Sequence, residues 1–216
     1  MKKIFAILIT ICLLASALCV TAFAEEPVVL EVSAQNHAGD TTHIGSYTDF
    51  AKGWSAAMEL ADSKTRMKEN GYDRVVVNLY ADWTAGDNGV FSKKGKGFWN
   101  ETLYIENGVR MTINLNGHTI NRNLQGWTDD GEVIYIDSDA NVVINKGTIK
   151  GGWSSNGAGG IHINDNARVI LNGVHVVGNK VEDDDGGGIA VYDGAHLTMN
   201  AGSVSSNHLI EDYFSD

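Results

Sequence analysis

Cysteine is confined to Cys12 and Cys19, both within the first 24 residues. If that segment is removed, the remaining chain can form no disulfide, no thiol nucleophile and no cysteine metal site. Proline is just as scarce, with Pro27 alone against 25 glycines. That balance excludes a proline-rich linker and suits a chain of many tight turns. Positive charge is also short. There are 16 Lys and Arg against 27 Asp and Glu, and 14 once Lys2 and Lys3 are discounted. So acidic a surface argues against nucleic acid and anionic membranes as partners. The seven histidines form no His-x-x-x-His or Glu-x-x-His pair on a helix, which leaves no helical metal motif.

Only one long apolar run is present, Ile4–Val20. Lys2 and Lys3 precede it, and Ala22-Phe23-Ala24 follows as a small-x-small cleavage site before Glu25. This is the pattern of an export signal over residues 1–24. A membrane-spanning helix is the alternative for a run of this length, but Glu25-Glu26-Pro27 supplies no basic stop-transfer cluster. The expected product is a secreted or cell-surface protein that is not membrane-embedded after cleavage.

The second half repeats. Asn116, Asn145, Asn172 and Asn200 recur at steps of 29, 27 and 28 residues. Four residues after each stands a β-branched apolar residue: Ile120, Ile149, Val176 and Val204. Nine before the last three stand Ile136, Ile163 and Val191, and eleven before stand Ile134, Ile161 and Ile189. Apolar residues alternate with polar ones within each repeat, as in strands. A fixed period of this length without helix marks a stack of coils in which no unit buries its apolar face alone. The spacing predicts an all-β solenoid of about four to five coils over residues 101–216. An antiparallel sandwich of hairpins would have no reason to keep one asparagine column in register. Stacked coils bring like positions to about 4.8 Å, so the four asparagines are expected to hydrogen-bond along the stack as structural residues.

Residues 25–100 form the expected N-terminal region. Phe50, Trp54, Ala57, Met58 and Ala61 fall on one helical stripe within residues 48–66, with Thr48 or Ser46 as cap. Val75, Val77 and Leu79 alternate in a first strand over 74–80. A helix before a strand stack can cover its open end.

The segments TINLNGHTI, GGIHINDNARVILNGVHVVGN and GGGIAVYDGAHLTMNAGSVSSN resemble right-handed parallel β-helix proteins, those of the pectate-lyase-like superfamily and secreted bacterial adhesin-like repeats. The resemblance covers roughly residues 101–207. It implies a right-handed parallel β-helix, but not one activity, since this scaffold hosts lyases, hydrolases and adhesins.

Candidate sites follow from residue type. Asp165 and Asp193 lie 28 residues apart, so they would sit one coil apart, as an acid/base or calcium pair or as turn initiators. Arg168 is the basic residue nearest them, and His162 beside Tyr135 is a possible general base. Asp183, Asp184 and Asp185 offer calcium ligands or a solvated loop; no other cofactor is expected. Trp127 and Trp153, with Tyr135 and Tyr192, are candidates for stacking on sugar rings. The expected role is structural or adhesive, with a polysaccharide or a host or cell-surface glycan as ligand. The alternative is a polysaccharide lyase or glycoside hydrolase. Because 216 falls at a coil boundary, self-stacking through the C-terminal coil, or a longer native chain, is also expected.

Overall fold

The computed structural model describes residues 26–62, 64–86, 96–99, 102–182 and 186–210. The expected export signal and the tail after 210 lie outside them. The chain is a β-solenoid of about four turns with helix near its N-terminus. Among the described residues no helix is long and apolar enough to cross a membrane.

Each coil lays a short strand on one sheet and a long strand on another. The short strands are β6 (Thr102–Ile105), β9 (Ile134–Ile136), β12 (Ile161–Ile163) and β15 (Ile189–Val191). They pair in parallel, with Leu103, Ile134, Ile161 and Ile189 in one row and Ile105, Ile136, Ile163 and Val191 in the next. The long strands are β7 (Arg110–Asn114), continued by β8 (Thr119–Asn121), then β10 (Asn141–Lys150), β13 (Arg168–Val177) and β16 (His196–Ser205). Their inward rows are Met111–Val142–Val169–Leu197 and Ile113–Ile144–Leu171–Met199. A third sheet stacks β11 (Trp153–Ser154), β14 (Lys180–Glu182) and β17 (His208–Ile210). Period-two alternation sends every second side chain into the same column, and most of these inward residues are fully buried. Burying each contributes about 1.5–3 kcal/mol.

The corner between short and long strands is built the same way in every coil. Val109, Ala140, Ala167 and Ala195 donate backbone N–H groups to the carbonyls of Glu106, Asp137, Asn164 and Tyr192. The third turn residue, Gly108, Asp139, Asn166 or Gly194, takes a positive φ of 58° to 71°. Glycine, asparagine and aspartate are the residues that tolerate this region.

The asparagine ladder is present, but its first member differs from expectation. Asn200, Asn172 and Asn145 each donate from Nδ2 to Oδ1 of Asn172, Asn145 and Asn114, each at 2.8 Å. Asn114 then donates to Asn78, also at 2.8 Å. Asn116 is not in the ladder. It sits in a turn with φ 54° and donates to the Leu79 carbonyl at 2.9 Å. Thr119 and Ile120 align with Thr148 and Ile149, so the two extra residues of this coil lie after the ladder asparagine. Counting back from Ile120 therefore lands two residues late. The longer corner brings Leu115 under the next coil, where a Cβ on Gly147 would lie 2.4 Å from the Leu115 Cβ. Gly147 is needed for that approach.

The N-terminal end is closed. β3 (Tyr72–Leu79) pairs in parallel with β7, and β1 (Leu30–Asn36) adds to β3 antiparallel, followed by β2 (Thr41–Tyr47). Helix α1 (Phe50–Asp62) lies against them, with Phe50, Trp54, Ala57, Met58 and Leu60 buried. Its cap is Asp49, whose Oδ1 accepts from the Lys52 N–H at 2.8 Å, in place of Thr48 or Ser46. Phe50 stacks on Trp83 of β4 (Trp83–Thr84) at 4.4 Å, and the Trp54 indole donates to the Gly97 carbonyl at 2.7 Å. A second short helix, α2 (Lys64–Glu69), completes this region.

β15, β16 and β17 are the last strands of their sheets among the described residues. Their inward residues stay in contact with solvent: Val191 is 45% exposed, Met199 36%, Val204 47% and Leu209 50%.

Candidate functional site

One outward column of the short-strand sheet is aromatic. Trp99, Tyr104, Tyr135, His162 and Tyr192 follow one another with ring centroids 6.2, 5.3, 4.3 and 4.5 Å apart. Trp99 enters because β5 (Phe98–Trp99) pairs antiparallel with β6. Tyr192 enters although Ala190, not Tyr192, is the backbone partner of His162. Alanine leaves the place empty, and the tyrosine two residues on fills it. The rings cover one another along most of the column, but Trp99 at its end is 58% exposed.

At that end lies a cleft of about 240 Å³, lined by Trp99, Tyr104, Tyr135, Asp130 and Glu132. The Trp99 indole N–H donates to Asp130 Oδ2 at 3.0 Å. Thr102 Oγ1 donates to the carbonyls of Asp130 at 2.7 Å and Glu132 at 3.1 Å, which fixes the backbone carrying both acids. Glu132 is 3% exposed. Burial pushes its carboxyl up to about 7, and Asp130 adds to this; its own backbone amide, Arg122 and Ser154 oppose the rise. Tyr104 donates its hydroxyl to Asp137, and burial together with that bond raises its pKa, so the phenol stays protonated. Tyr135 accepts from Asn164 Nδ2 at 3.0 Å, and its pKa is raised, first by burial and then by Asp137. The cleft thus joins aromatic walls, held phenols and the Asp130 carboxyl, with Glu132 buried behind them and its carboxyl toward Ser154.

Comparison of the chain with protein-family models, with curated proteins and with solved structures finds no match. The site's chemistry has to be read from its own residues.

Only part of the expected constellation converges. Tyr135 lines the cleft, and His162 and Tyr192 continue its aromatic column. Asp165 and Asp193 occupy exposed corner turns, where their backbone carbonyls accept from Asp139 and Asn166 at 3.0 Å. Arg168 is exposed on β13, in register with Asn141 and His196. These three lie outside the cleft. Trp127 is 57% exposed. Trp153 is held differently: its indole donates to Glu182 Oε1 at 2.8 Å, and the Lys180 ammonium lies 4.0 Å from its ring centre. One face of that ring is thus covered by a cation. Asp183, Asp184 and Asp185 lie outside the described residues. Among the described residues no group of three His, Cys, Asp or Glu side chains could hold a metal ion.

Trp99, Asp130 and Glu132 escape the repeat pattern because no other coil carries them. A larger depression of about 360 Å³ lies between α1, α2 and the first corner. Arg110 and Asp73 pair there at 3.0 Å, and Asp62 and Glu106 pair with Lys96, so its carboxylates are already matched.

Proposed function

We propose that this is a secreted or cell-surface glycan-binding solenoid, akin to the pectate-lyase-like superfamily, whose ligand site is the cleft of Trp99, Tyr104, Tyr135, Asp130 and Glu132. The observation that carries the reading is the exposed indole of Trp99 at the end of a ring column, beside two carboxyls in one cleft. Sugar rings present C–H faces to aromatic side chains and hydroxyls to carboxylates, and a concave site with few polar groups orients them. The residues stand on short strands locked into a stack, so little ordering is required on binding. Export is supported by the Lys2–Lys3 start, the apolar run and the Ala22-Phe23-Ala24 site. A glycan array probed with the wild type and with Trp99→Ala tests the reading. Loss of binding with an unchanged melt supports it; unchanged binding places the ligand elsewhere.

Glu132 favours a second reading, a glycoside hydrolase. A carboxyl that keeps its proton near pH 7 beside an acid of ordinary exposure is the arrangement of a general acid and its partner. Release of reducing ends from a bound glycan, abolished in Glu132→Gln, would select it, and binding without turnover would select the module.

A second copy of the chain is the protein partner that self-stacking would supply: Val191, Met199, Val204 and Leu209, core-facing residues of the last described coil, are 36–50% exposed, and apolar surface beside strand edges invites association. Light scattering at rising concentration tests this: growth in mass supports it, and a constant monomer refutes it.

A further inference from the structure

We propose that Ser46, His43 and Glu31 form a second site, a nucleophilic triad that cleaves short-chain acyl esters. The site stands on β1 and β2, and none of its residues lines the cleft of Trp99. His43 Nδ1 lies 3.0 Å from Glu31 Oε1, and Ser46 Oγ lies 3.4 Å from the other ring nitrogen, Nε2. A carboxylate can only accept, so the Nδ1 facing it carries the hydrogen. Nε2 is then left with its lone pair, and the Ser46 hydroxyl donates to it. In this tautomer an imidazole can take the proton of a serine. Tyr80 holds the far side of the acid. Its hydroxyl donates to Glu31 Oε2 at 3.0 Å, and this bond, ahead of burial, raises the phenol's pKa, so Tyr80 remains the donor.

A β-bulge brings the three side chains together. Leu30, Val32 and Ala34 are fully buried, so alternation turns Glu31 to the other face of β1. Ser46 is the cross-strand partner of Glu31 and shares that face. His43, three residues earlier, would point the opposite way in a regular strand. The register slips between Val32 and Ser33 and pairs His43 with Ser33, leaving Ile44 as the extra residue. A bulge of this kind re-aims a side chain, here the imidazole. Among the described strands β2 is the outer one of its sheet, and an outer edge presents unpaired N–H groups. Such donors beside Ser46 can steady the oxyanion formed when its oxygen adds to an acyl carbonyl. Ser46 and His43 are exposed, so these donors act beside water, where they are weaker than in a closed site. Esters, whose alcohols leave more readily than amines, match that limited power, and a short acyl chain needs no apolar pocket.

In the first half-reaction the Ser46 oxygen bonds to the acyl carbon while its proton passes to His43 Nε2. The ester C–O bond then breaks, and the imidazolium returns the proton to the departing alcohol. Water repeats the sequence. It gives a proton to Nε2, its oxygen bonds to the acyl carbon, and Ser46 leaves with that proton as the free hydroxyl, releasing a carboxylic acid. The Glu31 carboxylate orients the imidazole and steadies its charged form, so Glu31 and Tyr80 are positioning residues.

Two measurements on the full chain test this. One is hydrolysis of p-nitrophenyl acetate; the other is labelling by a fluorophosphonate, which loses fluoride as its phosphorus bonds to an activated serine. Peptide mass mapping is expected to place the label on Ser46. Ser46→Ala and His43→Gln should each lower kcat/KM by at least about tenfold. Glu31→Gln should lower kcat by about tenfold and leave KM unchanged, the split expected when a base is misoriented and binding is not touched. Tyr80→Phe should act in the same direction and less. Each variant is checked for an unchanged melt; none of the four side chains is fully buried. Exposed imidazoles hydrolyse activated esters unaided, so a wild-type rate in Ser46→Ala would overturn the triad. Failure of Ser46 to take the label would overturn it too, as would a wild-type kcat in Glu31→Gln.

Discussion

Replacing Glu132 by glutamine should make the protein more stable, and by an amount that depends on pH. Its carboxyl titrates near 7 in the fold against an ordinary 4.5. The folded state therefore holds a proton between those values that the unfolded chain has released, and stability falls as pH rises through that window. With about 1.36 kcal/mol per pKa unit, the full loss is about 3 kcal/mol. Linkage places about 1.4 kcal/mol of it below pH 5.5 and nearly all of it below pH 8.5, so the wild type loses about 2 kcal/mol between those two conditions. Glutamine cannot ionise, and any fixed cost of its amide cancels when the two pH values are compared. Urea unfolding of wild type and Glu132→Gln at pH 5.5 and 8.5 measures the difference directly. The gap between the two proteins should widen by about 2 kcal/mol in favour of the variant at the higher pH. Parallel curves, agreeing within about 0.5 kcal/mol, would show that Glu132 is ionised in the fold at neutral pH. The protonated-acid role in the hydrolase reading would then fail with it.

Three further outcomes are expected. Asn172→Ala strands an acceptor on Asn145 and a donor on Asn200 and should cost about 1–3 kcal/mol, while Asn200→Ala, at the exposed end, should cost less than half as much in the same urea assay. Ile163→Asp should abolish a cooperative melt because it buries an unpaired charge, whereas Val191→Asp, one coil later in the same column but partly exposed, should retain one. Trp127→Ala should shift the melting temperature by less than about 2 °C, and Trp153→Ala, which loses the Glu182 bond and the Lys180 contact, by clearly more.

The solenoid was legible because stacking forces like residues into columns, and columns are visible as a period. Ile134, Ile161 and Ile189 announce their sheet before any coordinates are known. What failed did so where the period is broken or backbone acts alone. The two-residue insertion after Asn114 shifted the first ladder position to Asn116. The β1–β2 pair has a polar second strand, TTHIGSY, held to β1 by backbone bonds that leave little mark on side-chain pattern. The helix expected over 48–66 is α1, which ends at Asp62, followed by α2; its stripe was readable but its end was not. The cleft was the hardest feature to see, because Trp99, Tyr104 and the Asp130–Tyr135 segment meet only once the coil closes. Site residues that occur once per molecule carry no periodic signal.

The asparagine ladder also has a direction. Every amide from Asn200 to Asn114 donates toward the N-terminal coil, and each but Asn200 accepts from the C-terminal one. Backbone dipoles in a sheet largely cancel between neighbouring groups, but four side-chain amides donating the same way do not. Turning one of them over would set donor against donor on one side and acceptor against acceptor on the other, so the row can reverse only as a whole. The solenoid therefore carries a one-way electrical axis, positive toward the capped end and negative toward the last described coil, where it ends on the Asn200 carbonyl oxygen.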